Sequence, residues 1–252
     1  MLDCAWSLRW FAGRWIQWPY WPEVFRLGAK AGTALGDPGH QAALLRYLAV
    51  HHTIPQVDPE VELRAANEVL DYGFQSGWGA MYVGRALLRL GQPDEAIVSV
   101  SRSAEMFKAD SELEAYSQSL GLLGECLCGA GRHAEALELY TEMYELTSDE
   151  NSGMTPSVAA LTRPHARGAI ALCLSELGRH AEAIPAYIEA LTLFEQFPVA
   201  PSKGRCMVRL AESLAAAGRI GESRQTYLRA AEVFEAVGDP EAAARLRGLA
   251  SG

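Results

Sequence analysis

The decamer GRHAEALELY at residues 131–140 returns 47 positions later as GRHAEAIPAY at 178–187, with its first six residues unchanged. A repeat at this spacing implies one supersecondary unit used several times, because a single such unit cannot bury its apolar face alone. Aligning on the leading glycine brings out LGQPDEA around Gly91 and AGRIGES around Gly218, so the intervals between copies are 40, 47 and 40 residues. Steps of 39 back from Gly91 reach the break at His51-His52-Thr53 and then Gly13. Six units fit the chain.

Leu120, Leu123 and Leu127 recur at i, i+3 and i+7 before the glycine, and Ala136, Tyr140 and Met143 at i, i+4 and i+7 after it. That spacing predicts two amphipathic helices per unit, joined where the glycine supplies a left-handed residue. The small Ala136 predicts close approach of the two helices. Breaks of a second kind, Leu35-Gly36-Asp37-Pro38, Lys108-Ala109-Asp110-Ser111 and Val237-Gly238-Asp239-Pro240, separate the units and supply Asp or Ser as N-caps. The polar SDENSGMTPS, residues 148–157, accounts for the long interval as a loop insertion. The expected organisation is a single all-α, right-handed solenoid domain with hairpins at 2–36, 37–76, 77–110, 111–149, 155–197 and 200–237, closed by a helix over 240–249.

The 252 residues contain abundant Ala and Leu and little Val, Ile or Thr, which favours helix and argues against sheet. A formal net charge of −9 without a Lys/Arg block lacks the footprint of nucleic-acid binding. Five scattered cysteines, Cys4, Cys126, Cys128, Cys173 and Cys206, read as free thiols in a reducing compartment. Asp3, Arg9 and Arg14 interrupt the apolar N-terminus, so it does not read as a signal peptide, and no run reaches membrane-spanning length. A cytoplasmic protein without membrane partners is expected.

The order Leu123-Gly124, Leu127, Gly131, Ala136, Tyr140 and its echo Ile170-Ala171, Leu174, Gly178, Ala183, Tyr187 resemble the tetratricopeptide repeat, with helices somewhat longer than that family's standard unit. GRW-x-x-W near the start and LGD between units are similar to the C-terminal repeat arrays of actinobacterial signal-transduction ATPases of the NB-ARC (STAND) type. The resemblance implies a non-catalytic sensor or interaction module in a regulatory system, an ATPase or a transcription regulator. The alternative it leaves open is a stand-alone peptide receptor of quorum-sensing type.

Residues that could carry chemistry read as scaffold. His133 and His180 hold equivalent positions in stacked hairpins roughly 10 Å apart per unit, too far to share a metal. Glu135 and Glu182 suit the positive end of a helix dipole. GAKAGT at 28–33 lacks the order of a phosphate loop, GxSxG is absent, and Cys126 and Cys128 diverge by about 200° on a helix. An enzyme with an unrecognised site remains the rival from another class; the expectation is no enzyme, no cofactor and no metal.

Function in such an array belongs to the concave face lined by the first helix of each hairpin. Rotating about 100° from the core leucines places Arg46, Met81, Arg85, Glu125 and Glu212 toward that groove, flanked by Trp78, Arg89, Gln118, His165 and Arg205. Arg46, Arg85 and Arg89 predict a basic focus for an acidic or carboxylate-ended peptide, with Trp78 and Met81 as apolar anchors. The other reading of these arginines is a bridge to acids on neighbouring units. Five of six tryptophans, Trp6, Trp10, Trp15, Trp18 and Trp21, cluster in the first 21 residues and fit either a first-hairpin core or a surface for an upstream domain or self-association.

Overall fold

The computed structural model describes residues 21–37, 58–71, 77–196 and 200–251. Gly13, the His51-His52 break, Arg46, Cys4, Trp6, Trp10, Trp15, Trp18 and the side chain of Trp21 lie outside the described residues. Those described form eleven helices and no strand: α1 Trp21–Leu35, α2 Pro59–Asp71, α3 Gly77–Arg89, α4 Pro93–Ala109, α5 Leu113–Gly129, α6 His133–Ser148, α7 Pro156–Glu176, α8 His180–Phe194, α9 Ala200–Ala216, α10 Ile220–Ala236 and α11 Pro240–Ser251. The fold is all-α. The chain divides into two compact units, Met1–Gly129 and Ala130–Gly252.

In the first unit α2 packs on α3, α3 on α4 and α4 on α5, while α3 also reaches α5. Phe25 and Ala29 of α1 join Ala66, Met81, Tyr82 and Val83 in one core. In the second unit each helix from α6 to α11 packs on the next, and α7 also reaches α9. Contact of each helix with its successor, and of a hairpin's first helix with the next first helix, is the pattern of stacked helical hairpins.

The repeated glycines end the first helix of each hairpin. Gly91, Gly131, Gly178 and Gly218 have φ of 75°, 73°, 74° and 77°, a left-handed conformation that costs other L-residues free energy. At Gly178 the amide donates to the Ser175 carbonyl at 2.9 Å and the Arg179 amide to the Leu174 carbonyl at 2.8 Å. Gly91 and Gly218 repeat this paired closure, which satisfies carbonyls that a helix end leaves orphaned.

Beyond each turn the small residue is fully enclosed: Ala96, Ala136 and Ala183 are each 0% exposed. Ser223, the fourth equivalent, is buried and donates its hydroxyl to the Ala211 carbonyl at 2.7 Å. Between units the left-handed residue is Gly36, Ser111 or Gly238. Asp239 then caps α11, its Oδ1 accepting the Ala242 amide at 2.9 Å. The 149–155 segment joins α6 to α7 and buries Met154.

Candidate functional site

The arginines of α3 lie one helical turn apart and reach back to α2. Glu62 of α2 is only 1% exposed, an untenable place for a lone carboxylate. Its Oε1 accepts from Arg85 Nε at 3.2 Å, and its Oε2 pairs with Arg89. Arg85 also lies over the Tyr82 ring, 4.9 Å from its centroid. These guanidinium groups bridge to an acid of the preceding hairpin, the second of the two readings given above. Glu62 answers one of the two guanidinium charges, so both side chains are tied into the fold as well as facing any groove.

Met81 also differs from expectation. It is buried in the α1–α3 core, with the Ser119 hydroxyl 3.8 Å from its sulfur, and cannot anchor a partner. Trp78 is half-buried against Phe107, ring centroids 5.0 Å apart and edge-on, and forms part of the core wall. Gln118 and Glu125 of α5 are exposed. Although the residue as a whole is exposed, neighbouring atoms crowd the Glu125 carboxyl, and the hydration lost there pushes it above the ordinary carboxylate range, while the charge of Arg85 opposes that shift.

In the second unit the expected residues come closer together. His165 of α7 is exposed and packs edge-on to Phe194 at 5.0 Å. Lost hydration, then the charge of Arg205, holds its imidazole below the usual histidine range. Arg205 and Glu212 of α9 line a groove of about 470 Å³ between α9 and α11. Its apolar surface comes from Val208, Phe234, Ala242, Leu246 and Leu249, and Arg209, Asp239 and Arg245 complete the wall.

The charges in this groove do not all cancel. Arg209 pairs with Glu212 at 3.0 Å, and Asp239 is held by the first turn of α11. Arg205 donates only to the Ser202 hydroxyl at 3.2 Å, and neither Arg205 nor Arg245 has an acidic partner among the described residues. Two exposed guanidinium groups therefore flank an apolar floor. The expected groove residues end at α9, with α11 expected only as a cap; the apolar spacing of Ala242, Leu246 and Leu249, with Arg245 between, is the signal in the sequence for the second wall.

The duplicated decamer resolves into scaffold. Arg132 precedes α6 and grips Glu135 through two hydrogen bonds of 2.7 and 2.6 Å. Arg179 with Glu182 and Arg219 with Glu222 repeat the clasp at α8 and α10. Each arginine holds its carboxylate below the ordinary range, so the acid stays charged beside the positive helix end. His180 lies 3.3 Å from the Ser175 hydroxyl. Among the described residues no group of three or more His, Cys, Asp or Glu is placed to hold a metal ion. Burial pushes the Cys126 and Cys206 thiols up to about 12, which makes them poor nucleophiles.

The family profile described as tetratricopeptide repeat matches residues 78–149 and 163–236. Among solved structures, aspartyl phosphate phosphatase F from Bacillus subtilis is similar with a TM-score of 0.68 at 13% identity, over 90% of this chain and 60% of that one. A Rap protein complexed with Competence and Sporulation Factor gives 0.67 at 15% identity, over 82% of this chain and 58% of that one. BtubC from P. vanneervenii gives 0.56 at 13%, over 94% and 90%. This chain thus spans about three fifths of the length of the first two, and at such identities the likeness concerns the fold. A search of curated proteins finds no match.

Proposed function

The chain belongs to the tetratricopeptide repeat family, and we propose that it is a non-catalytic module that holds a segment of a protein or peptide. The observation that carries this reading is the α9–α11 groove, an apolar floor beside two guanidinium groups without acidic partners among the described residues. Its volume lies within the ordinary range of ligand sites, roughly 300–1,000 Å³. The thiols of Cys126 and Cys206 are buried and held protonated, and the repeated acids are clasped by arginine. Both features support binding over turnover. No described helix is long and apolar enough to cross a membrane.

The setting we assign is a regulatory system, in which the module senses or holds a partner of a signal-transduction ATPase or transcription regulator. The phrases GRW-x-x-W and LGD support it. A stand-alone peptide receptor is the second reading, favoured by likeness to the Rap protein solved with Competence and Sporulation Factor.

Crosslinking in cells, identification of the captured partner and titration calorimetry with that partner purified test the proposal. Saturable binding, with the partner's mass unchanged after prolonged incubation, is the expected result. Multiple-turnover conversion of the partner would overturn it.

A further inference from the structure

We propose that the groove between α9 and α11 binds an extended peptide through an acidic side chain next to a bulky apolar one, the acid held by Arg205 and Arg245. This rests on the peptide-binding reading and gives it a place and a chemistry. Of the five charged groups that line the groove, Arg209 is neutralised by Glu212 at 3.0 Å, and Asp239 accepts an amide of α11 at 2.9 Å. Arg205 and Arg245 remain, one on each wall, and both are exposed. A guanidinium prefers a planar carboxylate, which it can meet with two parallel hydrogen bonds.

The chain's net charge of −9 does not cancel this preference, because at physiological ionic strength fields between exposed charges fade beyond about 8 Å. Three guanidinium groups against two carboxylates leave the groove one net positive charge, and because Glu212 is paired with Arg209 and Asp239 is turned to an α11 amide, Arg205 and Arg245 are the groups open to an acid. His165, the nearby group on α7, is held below the usual histidine range, so near pH 7 it adds little charge of its own. The floor selects the second half of the epitope. Phe234 and Leu249 offer apolar surface beside the arginines, and Leu249, 58% exposed, is covered when a partner side chain enters. A peptide with acid and apolar residues adjacent meets both in one step of the chain. One with either alone satisfies half of the site.

The test is affinity selection from a library of randomised octapeptides, acetylated and amidated so that side chains are the only carboxylates. A parallel library with free C-termini separates a terminal carboxylate from a side-chain one. The full chain should enrich blocked peptides in which Asp or Glu neighbours Leu, Ile, Phe or Met. The R205E/R245E variant, with an unchanged melting curve because both positions are exposed and lack ion-pair partners among the described residues, should lose that enrichment. A peptide from the wild-type selection should bind at least tenfold more weakly to the variant and to L249N, and weaken as salt rises.

Enrichment that survives R205E/R245E, enrichment without acidic residues, or enrichment confined to free C-termini would overturn this inference and leave the peptide-binding function standing. Absence of any enrichment, with the chain folded, would count against both. Should R205E/R245E prove destabilised, R205Q and R245Q measured singly carry the same forecast, each with a smaller loss of affinity.

Discussion

Glu62 shows how one side chain decides the role of two others. A carboxylate 1% exposed persists because Arg85 and Arg89 supply charge and hydrogen bonds, each from a side chain about a third exposed. Arg85→Glu removes one partner and sets two acids together. Breaking a buried pair costs about 3–5 kcal/mol, and solvent access to Arg85 lowers the expected loss to roughly 2–3 kcal/mol. A denaturation midpoint equal to the parent's would show that Arg85 is not structural. The buried thiols make a second forecast at this scale. Burial pushes Cys126 and Cys206 up to about 12, with the charge of Glu125 adding to the shift at Cys126, so both stay protonated at pH 8. Half-buried Cys128 should be alkylated by iodoacetamide well before Cys126, Cys173 or Cys206. Peptide mapping by mass spectrometry after timed quenching reads the order, and prior labelling of Cys126 would contradict it.

Among the elements, what the sequence made legible was the hairpin, because its turn leaves a glycine and its close contact leaves a small residue at fixed spacing. Gly131 has no neighbour within 4 Å of a built Cβ, so Gly131→Ala should cost about 1 kcal/mol through its φ of 73° alone. Ser111 holds a similar conformation, φ 58°, without being glycine, and Ser111→Gly should gain a few tenths of a kcal/mol once glycine's greater unfolded freedom is deducted. Chemical denaturation of both variants checks the pair, and equal effects of the same sign would mean that φ is not the cause. Ala136→Leu fills a site with no exposed surface and should cost about 1–3 kcal/mol by overpacking. Which face of α3 meets solvent was not legible. A 100° rotation from a single apolar stripe assumes one covered face, but α3 packs on α2, α4 and α5, and eight of its residues, Met81 among them, are buried. Contacts with three helices widen the buried arc beyond what one stripe shows, and Glu62, an acid inside such an arc, looked like any surface charge.

Within a unit of stacked hairpins, stability is a sum of hairpin and nearest-neighbour terms, so an end matters most to what lies beside it. Arg205 and Glu212 were legible as candidate groove residues because α9 follows the common repeat, whereas the opposite wall belongs to α11, a helix outside the repeat. That helix also closes the core: Ala243 and Leu246 pack with Met207, Ala211, Tyr227, Ala230 and Ala231. Removing residues 240–252 would expose these side chains, and burial of Leu246 alone contributes about 1.5–3 kcal/mol. Hydrogen exchange on the truncated chain should show α9 and α10 losing protection first, because α11 packs on α10 and α10 on α9. Helices α6 and α7, further along the same unit, should keep most of theirs. Leu246→Ala in the intact chain should reproduce the gradient at smaller amplitude, since it opens the same core while retaining the helix. Leu249→Ala, on the exposed side of α11, should leave it unchanged. Uniform loss of protection from α6 to α10 in the truncated chain would instead mean that the second unit opens as a single cooperative body, and the nearest-neighbour account would fail there.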